Sequence, residues 1–305
     1  NVMKWIAKAV VQKSISFLPF KEKINLFFQK YVTKGVELTD QHFQWKIEAA
    51  ERHIRYFKKY SEHDISKTSV LELGSGWYPI VPIALYLSGF ESITTIDIYS
   101  WGSNKKLHEA IAKFIDWNAQ GKLRQYITVD TRRWSVLIEM HNQHIDVDKF
   151  NAKLNIIQHL GDARTFDFPN AYGLICSNNT LEHIPVNILE GILMRFQMLL
   201  LKGGIMSHLV DLSDHFAHGD RSITIYNFLK FSDKAWILID NDIQPQNRLR
   251  FNEYINLYQK LGISIVFSWE RMGELEELRS VKLNKKYEKF DERDLLISHA
   301  DFVSC

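Results

Sequence analysis

The sequence predicts an α/β fold: a seven-stranded, mostly parallel sheet with helices on both faces. Three observations predict it. Short apolar runs alternate with helix-length amphipathic segments from residue 69 onward. The first run, residues 69–73, ends in a Gly-Ser-Gly turn, and the run at 93–96 ends in Asp97. Such alternation of strands and helices is typical of parallel sheets covered by helices on both sides.

Composition limits the class of protein. The chain has 305 residues, 46% hydrophobic and 24% charged, which is ordinary for a globular protein with a sizeable core. A net charge of +2 argues against bulk nucleic acid as a partner, and two cysteines make no disulfide framework. No apolar run approaches the ~20 residues of a membrane span. With no signal-peptide cleavage site either, we expect a soluble, cytoplasmic protein without a membrane partner.

Residues 1–65 are predicted to form a helical cap. The first 34 residues carry seven lysines and one glutamate. This favours a lid with a solvated basic face over a membrane-surface or nucleic-acid-binding arm. A second helix begins after Thr39 or Asp40. The apolar stripes of the two helices are Ile24, Phe27, Phe28, Tyr31 and Val32, then Phe43, Ile47, Ala50, Ile54 and Phe57.

Residues 66–305 are predicted to form the catalytic domain, with insertions at about 99–154 and 213–250 on the substrate side of the sheet. The first insertion is expected to hold two helices. A long amphipathic helix is expected to stop at Gly203-Gly204, and the last two strands to pair antiparallel at the edge. The remaining strands are expected at 155–160, 172–177, 205–210, 263–269 and 296–303, and the helices at 80–88, 105–119, 133–143, 188–200 and 252–261.

The glycine turn after the first strand indicates a nucleoside-bearing ligand. Gly74 and Gly76 let the backbone approach a ligand closely, and the acidic residue after the next strand can take both hydroxyls of a ribose. A dinucleotide fingerprint would have Gly or Ala at Pro79. Glu72 suits a nearby cation better than a pyrophosphate.

The motif series resembles that of the class I (Rossmann-like) S-adenosylmethionine (SAM)-dependent methyltransferases over roughly residues 69–212. A glycine loop, an acid after strand two, Gly-Asp-Ala after strand three, Leu-Glu-His after strand four and Lys-Gly-Gly before strand five follow in order. The resemblance implies SAM as cofactor. It also implies cofactor contacts: Glu72 at the amino group, Gly74 and Gly76 along the methionine, Asp97 at the ribose, Asp162 and Ala163 at the adenine, and Asn178 and Asn179 near the methyl group. Ser75, Trp77 and Ile98 are further cofactor-binding candidates. Trp77 departs from the family's usual third glycine, so with Tyr78 it either covers the cofactor or packs the helix.

Histidines and carboxylates beyond strand five suggest the catalytic groups. His215 is the first candidate for a general base, with Asp211 as its orienting partner and His183 as second candidate. His208 and Asp211 fall on opposite sides of the strand, so convergence on a metal is disfavoured and no resident metal is predicted. Candidate substrate contacts are Tyr31, Tyr226 and Arg248, the last as a clamp for a carboxylate or phosphate.

The expected function is methyl transfer from SAM to a small-molecule O- or N-acceptor, in secondary or sugar metabolism. An alternative keeps SAM but cyclises it, releasing methylthioadenosine. A nicotinamide-dependent oxidoreductase and a SAM-binding regulatory module are further alternatives. Nucleic acid is disfavoured as substrate because residues 177–180 lack the Asn/Asp-Pro-Pro-aromatic motif of amino-methylating enzymes. The sequence identifies neither the acceptor nor the oligomeric state.

Overall fold

Seven strands form one sheet in the order β3-β2-β1-β4-β5-β7-β6. The computed structural model describes residues 4–16, 37–99, 103–169, 171–241 and 245–305. The strands are β1 Ser69–Leu73, β2 Ser92–Asp97, β3 Ile156–Leu160, β4 Tyr172–Asn178, β5 Leu200–Asp211, β6 Ile265–Met272 and β7 Ile297–Ser304. β1 pairs parallel with β2 and with β4, and β2 pairs parallel with β3. The chain order therefore reverses between β1 and β4, and open α/β sheets bind their ligands at such a switch point.

In the part of the chain that the structure describes, two helices precede the first strand, and the others lie in connections between strands. They are α1 Lys4–Ser16, α2 Asp40–Tyr60, α3 Ile80–Leu87, α4 Asn104–Ala119, α5 Thr131–Asn142, α6 Val147–Leu154, α7 Val186–Leu199, α8 Asp233–Ile239, α9 Phe251–Lys260, α10 Leu275–Arg279 and α11 Glu292–Leu296. The predicted Rossmann-like fold, with its mostly parallel seven-stranded sheet, is confirmed. None of these helices has the length and apolar character needed to cross a bilayer, as far as the described residues extend.

Helix α2 begins where its capping chemistry predicts. The Thr39 hydroxyl oxygen accepts a hydrogen bond from the His42 amide at 3.1 Å, satisfying one of the free N–H groups of the first turn. All five residues of the predicted apolar stripe on this helix are buried. The stripe predicted around Ile24 lies outside the described residues.

Two details differ from the sequence prediction. The β2–β3 connection holds three helices rather than two, because Asp146 caps a further short helix, α6, by accepting from the Lys149 amide at 2.9 Å. Gly203 and Gly204 do not end the long helix but lie within β5, which begins at Leu200. Gly203 has a positive φ of 79°, and a Cβ there would meet Glu62 at 2.8 Å. These glycines therefore serve a close approach in the strand, not a helix C-cap.

The contacts of the chain divide it into two compact units. Unit 1 comprises Asn1–Glu37, Asn179–Glu190 and Leu209–Phe302, and unit 2 comprises Leu38–Asn178, Gly191–His208 and Val303–Cys305. Unit 2 contains β1 to β4, and every residue of β4 is buried, as expected of a central parallel strand. Unit 1 has its own core, whose buried aromatic members are Trp5, Phe216, Tyr226, Phe228, Trp236 and Tyr287.

Candidate functional site

The turn after β1 brings bare backbone to the carboxyl end of the sheet. Gly74 and Gly76 have φ values of 87° and 63°, in the region that favours glycine. The Gly74 amide donates to the Ile96 carbonyl at 2.9 Å, which fixes the turn to the end of β2. A Cβ added at Gly76 would meet no atom within 4 Å. Space therefore lies beside this backbone, as a ligand cradle requires.

Glu72 is a buried carboxylate with one oxygen unengaged. Its exposure is 2%, and Oε1 accepts a hydrogen bond from the Asn178 side-chain amide at 3.3 Å. Oε2 has no hydrogen-bond partner within the described ranges. Burial raises the pKa of Glu72 to about 8, although the charge of Lys46 and the bond from Asn178 act in the opposite direction. A buried oxygen of this kind suits a cationic ligand group.

Asp97 ends β2 beside the glycine turn. Its Oδ1 accepts from the Tyr99 amide at 3.1 Å, and its Oδ2 accepts from the Ser75 hydroxyl at 3.3 Å. Burial raises the pKa of Asp97, and its hydrogen bonds oppose that effect. Ile98, the next residue, is 66% exposed. The carboxylate and the Ser75 hydroxyl together offer the polar groups that a ribose diol needs.

The predicted adenine contacts follow β3. The Gly161 amide donates to the Asp97 carbonyl at 2.9 Å, so the ends of β2 and β3 are joined. Both carboxylate oxygens of Asp162 accept from the Arg164 Nε at 3.0 Å, and this pairing lowers the pKa of Asp162. Ala163 is buried. The Asp162 side chain is thus engaged by Arg164, and its role at an adenine stays a prediction.

The remaining predicted cofactor residues are Trp77, Asn178 and Asn179. The ammonium of Lys106 lies 4.0 Å from the centre of the Trp77 ring, a cation–π contact that orients the indole. Asn178, in unit 2, is buried. Asn179, the first residue of this segment of unit 1, is exposed, has a positive φ of 49°, and donates its amide to the Leu209 carbonyl at 2.9 Å.

In unit 1, Asp211 is surrounded by three imidazoles. Its Oδ2 lies 3.4 Å from the Nε2 of His215 and 3.7 Å from the Nε2 atoms of His218 and His299. Burial alone would raise the pKa of Asp211, but the contacts with these histidines and with Ser213 hold it well below its usual range. Asp211 is therefore ionised at neutral pH and favours a proton on a neighbouring imidazole.

The loop that carries His215 is fixed by Gln246. The Gln246 side-chain oxygen accepts from the His215 amide at 3.1 Å, and its nitrogen donates to the Ser213 carbonyl at 2.9 Å. Asp211 Oδ1 accepts from the Ser213 amide at 2.8 Å. The side chains of His215 and Asp211 are only 10% and 6% exposed. The predicted base and its predicted orienting group are thus brought together in a hydrogen-bonded loop.

His183 and Glu182 join this cluster. The His183 Nδ1 lies 2.7 Å from the Pro245 carbonyl, which can only accept, so Nδ1 carries the proton and Nε2 has its lone pair available. Burial lowers the pKa of His183 to about 3. Donor atoms of Glu182, His183 and His215 lie within 4.8 Å of one another, a spacing that a metal ion can bridge.

These three residues are not the ones considered for a metal in the sequence analysis, which were His208 and Asp211. His208 belongs to unit 2, where it is fully buried and its Nδ1 lies 2.7 Å from the Ser177 hydroxyl. The absence of a resident metal stays a prediction, to be tested on Glu182, His183 and His215.

The sequence motifs that carry the methyltransferase resemblance lie at the ends of strands. The glycine turn follows β1, Asp97 ends β2, Asp162 follows β3, Asn178 ends β4 and Asp211 ends β5. The chain has a Rossmann-like fold, and its strand-end motifs follow the order that the resemblance to class I SAM-dependent methyltransferases implies.

Solved structures similar to the chain include several methyltransferases. A SAM-dependent methyltransferase from Clostridium acetobutylicum ATCC 824 has 10% identity and a TM-score of 0.46, over 92% of this chain and 97% of that one. The CcbJ methyltransferase from Streptomyces caelestis has 13% identity and a TM-score of 0.46, over 85% and 94%. The N-methyltransferase NodS from Bradyrhizobium japonicum WM9, in complex with S-adenosylhomocysteine, has 13% identity and a TM-score of 0.40, over 83% and 85%. No protein-family model matches the chain, and no curated protein matches it in sequence.

The two predicted substrate contacts that the structure describes, Tyr226 and Arg248, are buried and bonded to other protein groups. Tyr226 is 1% exposed, its hydroxyl donates to the Leu296 carbonyl at 2.9 Å, and burial raises its pKa to about 12. Arg248 is buried and donates to the Phe228 and Phe231 carbonyls and to Asp233. Both side chains are engaged within unit 1, so a substrate could reach them only by displacing these bonds. Tyr31 lies outside the described residues.

Sequence reasoning missed His53, Gln246 and His299. His53 belongs to the buried face of α2, and a histidine within an otherwise apolar stripe was the signal available. Gln246 and His299 come from segments distant in sequence from residue 211. No spacing rule connects them with the strand-five loop.

Proposed function

We propose that this chain is a SAM-dependent methyltransferase acting on a small-molecule acceptor through an oxygen or nitrogen atom. One observation carries the proposal. The unengaged Oε2 of buried Glu72 lies two residues before a glycine turn with positive φ, and Asp97 with Ser75 offers ribose ligands at the next strand end. A ligand with an ammonium group and a ribose satisfies both sets of polar groups.

Each end of SAM has matching residues in unit 2. Glu72 would accept a hydrogen bond from the ammonium, and such charge-assisted bonds are roughly twice as strong as neutral ones. The backbone at Gly74 and Gly76 would pass close to the methionine, and Asp97 would accept from the ribose hydroxyls. When bound, SAM supplies an activated methyl group, so the protein has only to orient the acceptor and remove its proton.

His215 is proposed as the group that removes this proton. Asp211 stabilises the imidazolium that forms, because its carboxylate stays ionised, and Gln246 holds the His215 backbone in place. General base catalysis of this kind is typically worth ~10²–10⁴-fold. His183, with its available Nε2, is the second candidate. An acceptor amine that is already neutral would need neither histidine.

The test combines binding with product analysis. Calorimetry should detect binding of SAM and S-adenosylhomocysteine to the wild type, and Asp97→Ala should weaken it by ~1–3 kcal/mol because ribose hydroxyls lose their partner. Asp116→Ala, an exposed aspartate of α4 in the same unit, is the matched control and should bind normally. Binding of NADH with comparable affinity would favour an oxidoreductase instead.

Mass spectrometry after incubation with SAM and a metabolite extract identifies the reaction. S-adenosylhomocysteine formed only with the extract supports methyl transfer to a small molecule. Methylthioadenosine formed from SAM alone would support the cyclase alternative. Unchanged SAM affinity in Asp97→Ala would contradict the cofactor assignment. The cytoplasmic location and the metabolic setting expected from the sequence belong to the same proposal.

A further inference from the structure

Four buried side chains in unit 2 form one chain of hydrogen bonds that ends at the glycine turn. The Ser207 hydroxyl lies 2.7 Å from the Nδ1 of His53. The Nε2 of His53 lies 2.9 Å from the Oδ1 of Asn178, whose Nδ2 lies 3.3 Å from the Oε1 of Glu72. His53 and Ser207 have no exposed surface, and Glu72 has 2%. Helix α2, β4, β5 and β1 are thereby linked through side chains.

The direction of every bond follows from the chemistry of its groups. With the ligand's ammonium bound, Glu72 is ionised and can only accept, so the NH₂ of Asn178 faces it and the Asn178 carbonyl oxygen faces His53. That oxygen also only accepts, so the His53 proton lies on Nε2. The lone pair on Nδ1 then accepts from the Ser207 hydroxyl. Burial lowers the pKa of His53 to about 3, so the ring carries one proton at neutral pH.

We propose that His53 is a positioning residue for the cofactor: by fixing the amide orientation of Asn178, it holds Glu72 with Oε1 satisfied and Oε2 directed to the ligand's ammonium. This inference rests on the proposed function. His53 touches neither the cofactor nor the acceptor, and it acts only through Asn178. Without the donor at His53, the Asn178 amide loses the partner that keeps its NH₂ towards Glu72.

The arrangement predicts discrimination between ligands. S-adenosylhomocysteine carries the ammonium that Glu72 would accept from. Methylthioadenosine has the same nucleoside and thioether but lacks the amino-acid end. A defect transmitted through Asn178 and Glu72 should therefore weaken the binding of S-adenosylhomocysteine and leave that of methylthioadenosine unchanged. General loosening of unit 2 should weaken both.

The experiment measures the binding of both ligands by calorimetry on the 305-residue wild type and four variants of it. His53→Leu removes both hydrogen bonds and should weaken S-adenosylhomocysteine roughly tenfold or more, with methylthioadenosine within about twofold. His53→Gln should restore most of the affinity, because its amide can donate to Asn178 and accept from Ser207. Ser207→Ala, which removes one hydroxyl, should shift binding in the same direction by less.

His208→Gln is the matched control. His208 is also fully buried and is bonded to a serine, but it lies outside the chain of four. The His208→Gln substitution should lower thermal stability without changing the ratio of the affinities for S-adenosylhomocysteine and methylthioadenosine. If His53→Leu does not fold, the affinities of the two ligands can still be compared in Ser207→Ala and His53→Gln.

Equal losses for both ligands in the His53 and Ser207 variants, or no rescue by glutamine, would overturn the positioning role while leaving SAM binding intact. A wild type that binds neither ligand would overturn the proposed function, and this inference with it.

Discussion

Glu72 makes ligand affinity depend on pH in a direction that can be predicted. Its pKa is raised to about 8, mainly by burial, so the carboxyl is largely protonated at pH 6 in the free protein. An ammonium at Oε2 favours the ionised form, and binding must then release one proton. Of the charged groups that act on Glu72, Lys46 lowers the pKa of the carboxyl and Asp97 raises it.

The size of the effect follows from one proton per ligand. Below the pKa of Glu72, the dissociation constant should fall tenfold for each unit of rising pH, because one pKa unit corresponds to ~1.4 kcal/mol. Between pH 6 and 7.5, S-adenosylhomocysteine should therefore bind about 25-fold more tightly. Glu72→Gln should bind weakly at every pH and should lose the pH dependence of the dissociation constant. Asp97→Asn should bind more weakly but keep that pH dependence.

Calorimetry in two buffers of different ionisation enthalpy measures the proton release directly. Near pH 6.5 the wild type should release close to one proton per ligand bound, and Glu72→Gln close to none. A wild type that binds without proton release, or whose affinity is constant over this range, would refute the placement of the ammonium at Glu72.

Three further predictions concern stability, catalysis and the N-terminal helices. The pKa of Glu72 in the folded protein lies above its unfolded value of 4.5. The free protein should therefore lose up to about 1.4 kcal/mol of stability for each pH unit between about pH 5 and 8. In thermal denaturation, Glu72→Gln should not show this loss of stability with rising pH. His215→Ala should lower kcat by roughly two to four decades with S-adenosylhomocysteine affinity unchanged, and Asp211→Asn should act in the same direction; loss of activity in chelator, restored by added metal, would instead make His215 a ligand. Deletion of residues 1–34 removes Trp5, whose amide donates to Asp220 at 2.8 Å, and should impair turnover or cofactor retention; flotation of the intact protein with anionic vesicles would contradict the lid.

Most of the fold and the strand-end motifs could be predicted from the sequence because they depend on local chemistry. The N-cap at Thr39, the glycines after β1 and the acid after β2 each have a mechanism that acts within a few residues. The extra helix α6 was missed because Asp146 caps a segment of only eight residues. Gly203-Gly204 was misjudged because a glycine pair after an amphipathic run normally ends a helix.

The site was less predictable because its partners come from distant segments. Asp211 meets His215 four residues later, which spacing could anticipate, but His299 lies 88 residues further on. Arg248 was predicted to clamp a substrate because the sequence cannot reveal that three protein oxygens accept hydrogen bonds from its guanidinium. His53 was hidden for the same reason: its partners are on β4 and β5.

The carboxylate of Asp211 limits how many protons the three surrounding rings can hold. Its single charge compensates one imidazolium, and Glu182, with a donor atom within 4.8 Å of one of His215, is a second acidic group beside that ring. His299 is disfavoured as the carrier because its nitrogens lie 2.7 and 2.9 Å from the Arg271 guanidinium. His218 stacks on His215 with ring centres 5.1 Å apart, and its side chain is 53% exposed. If His215 removes the acceptor's proton as proposed, that proton would leave the enclosed ring for water through His218, and the cluster would have to be emptied before the next turnover.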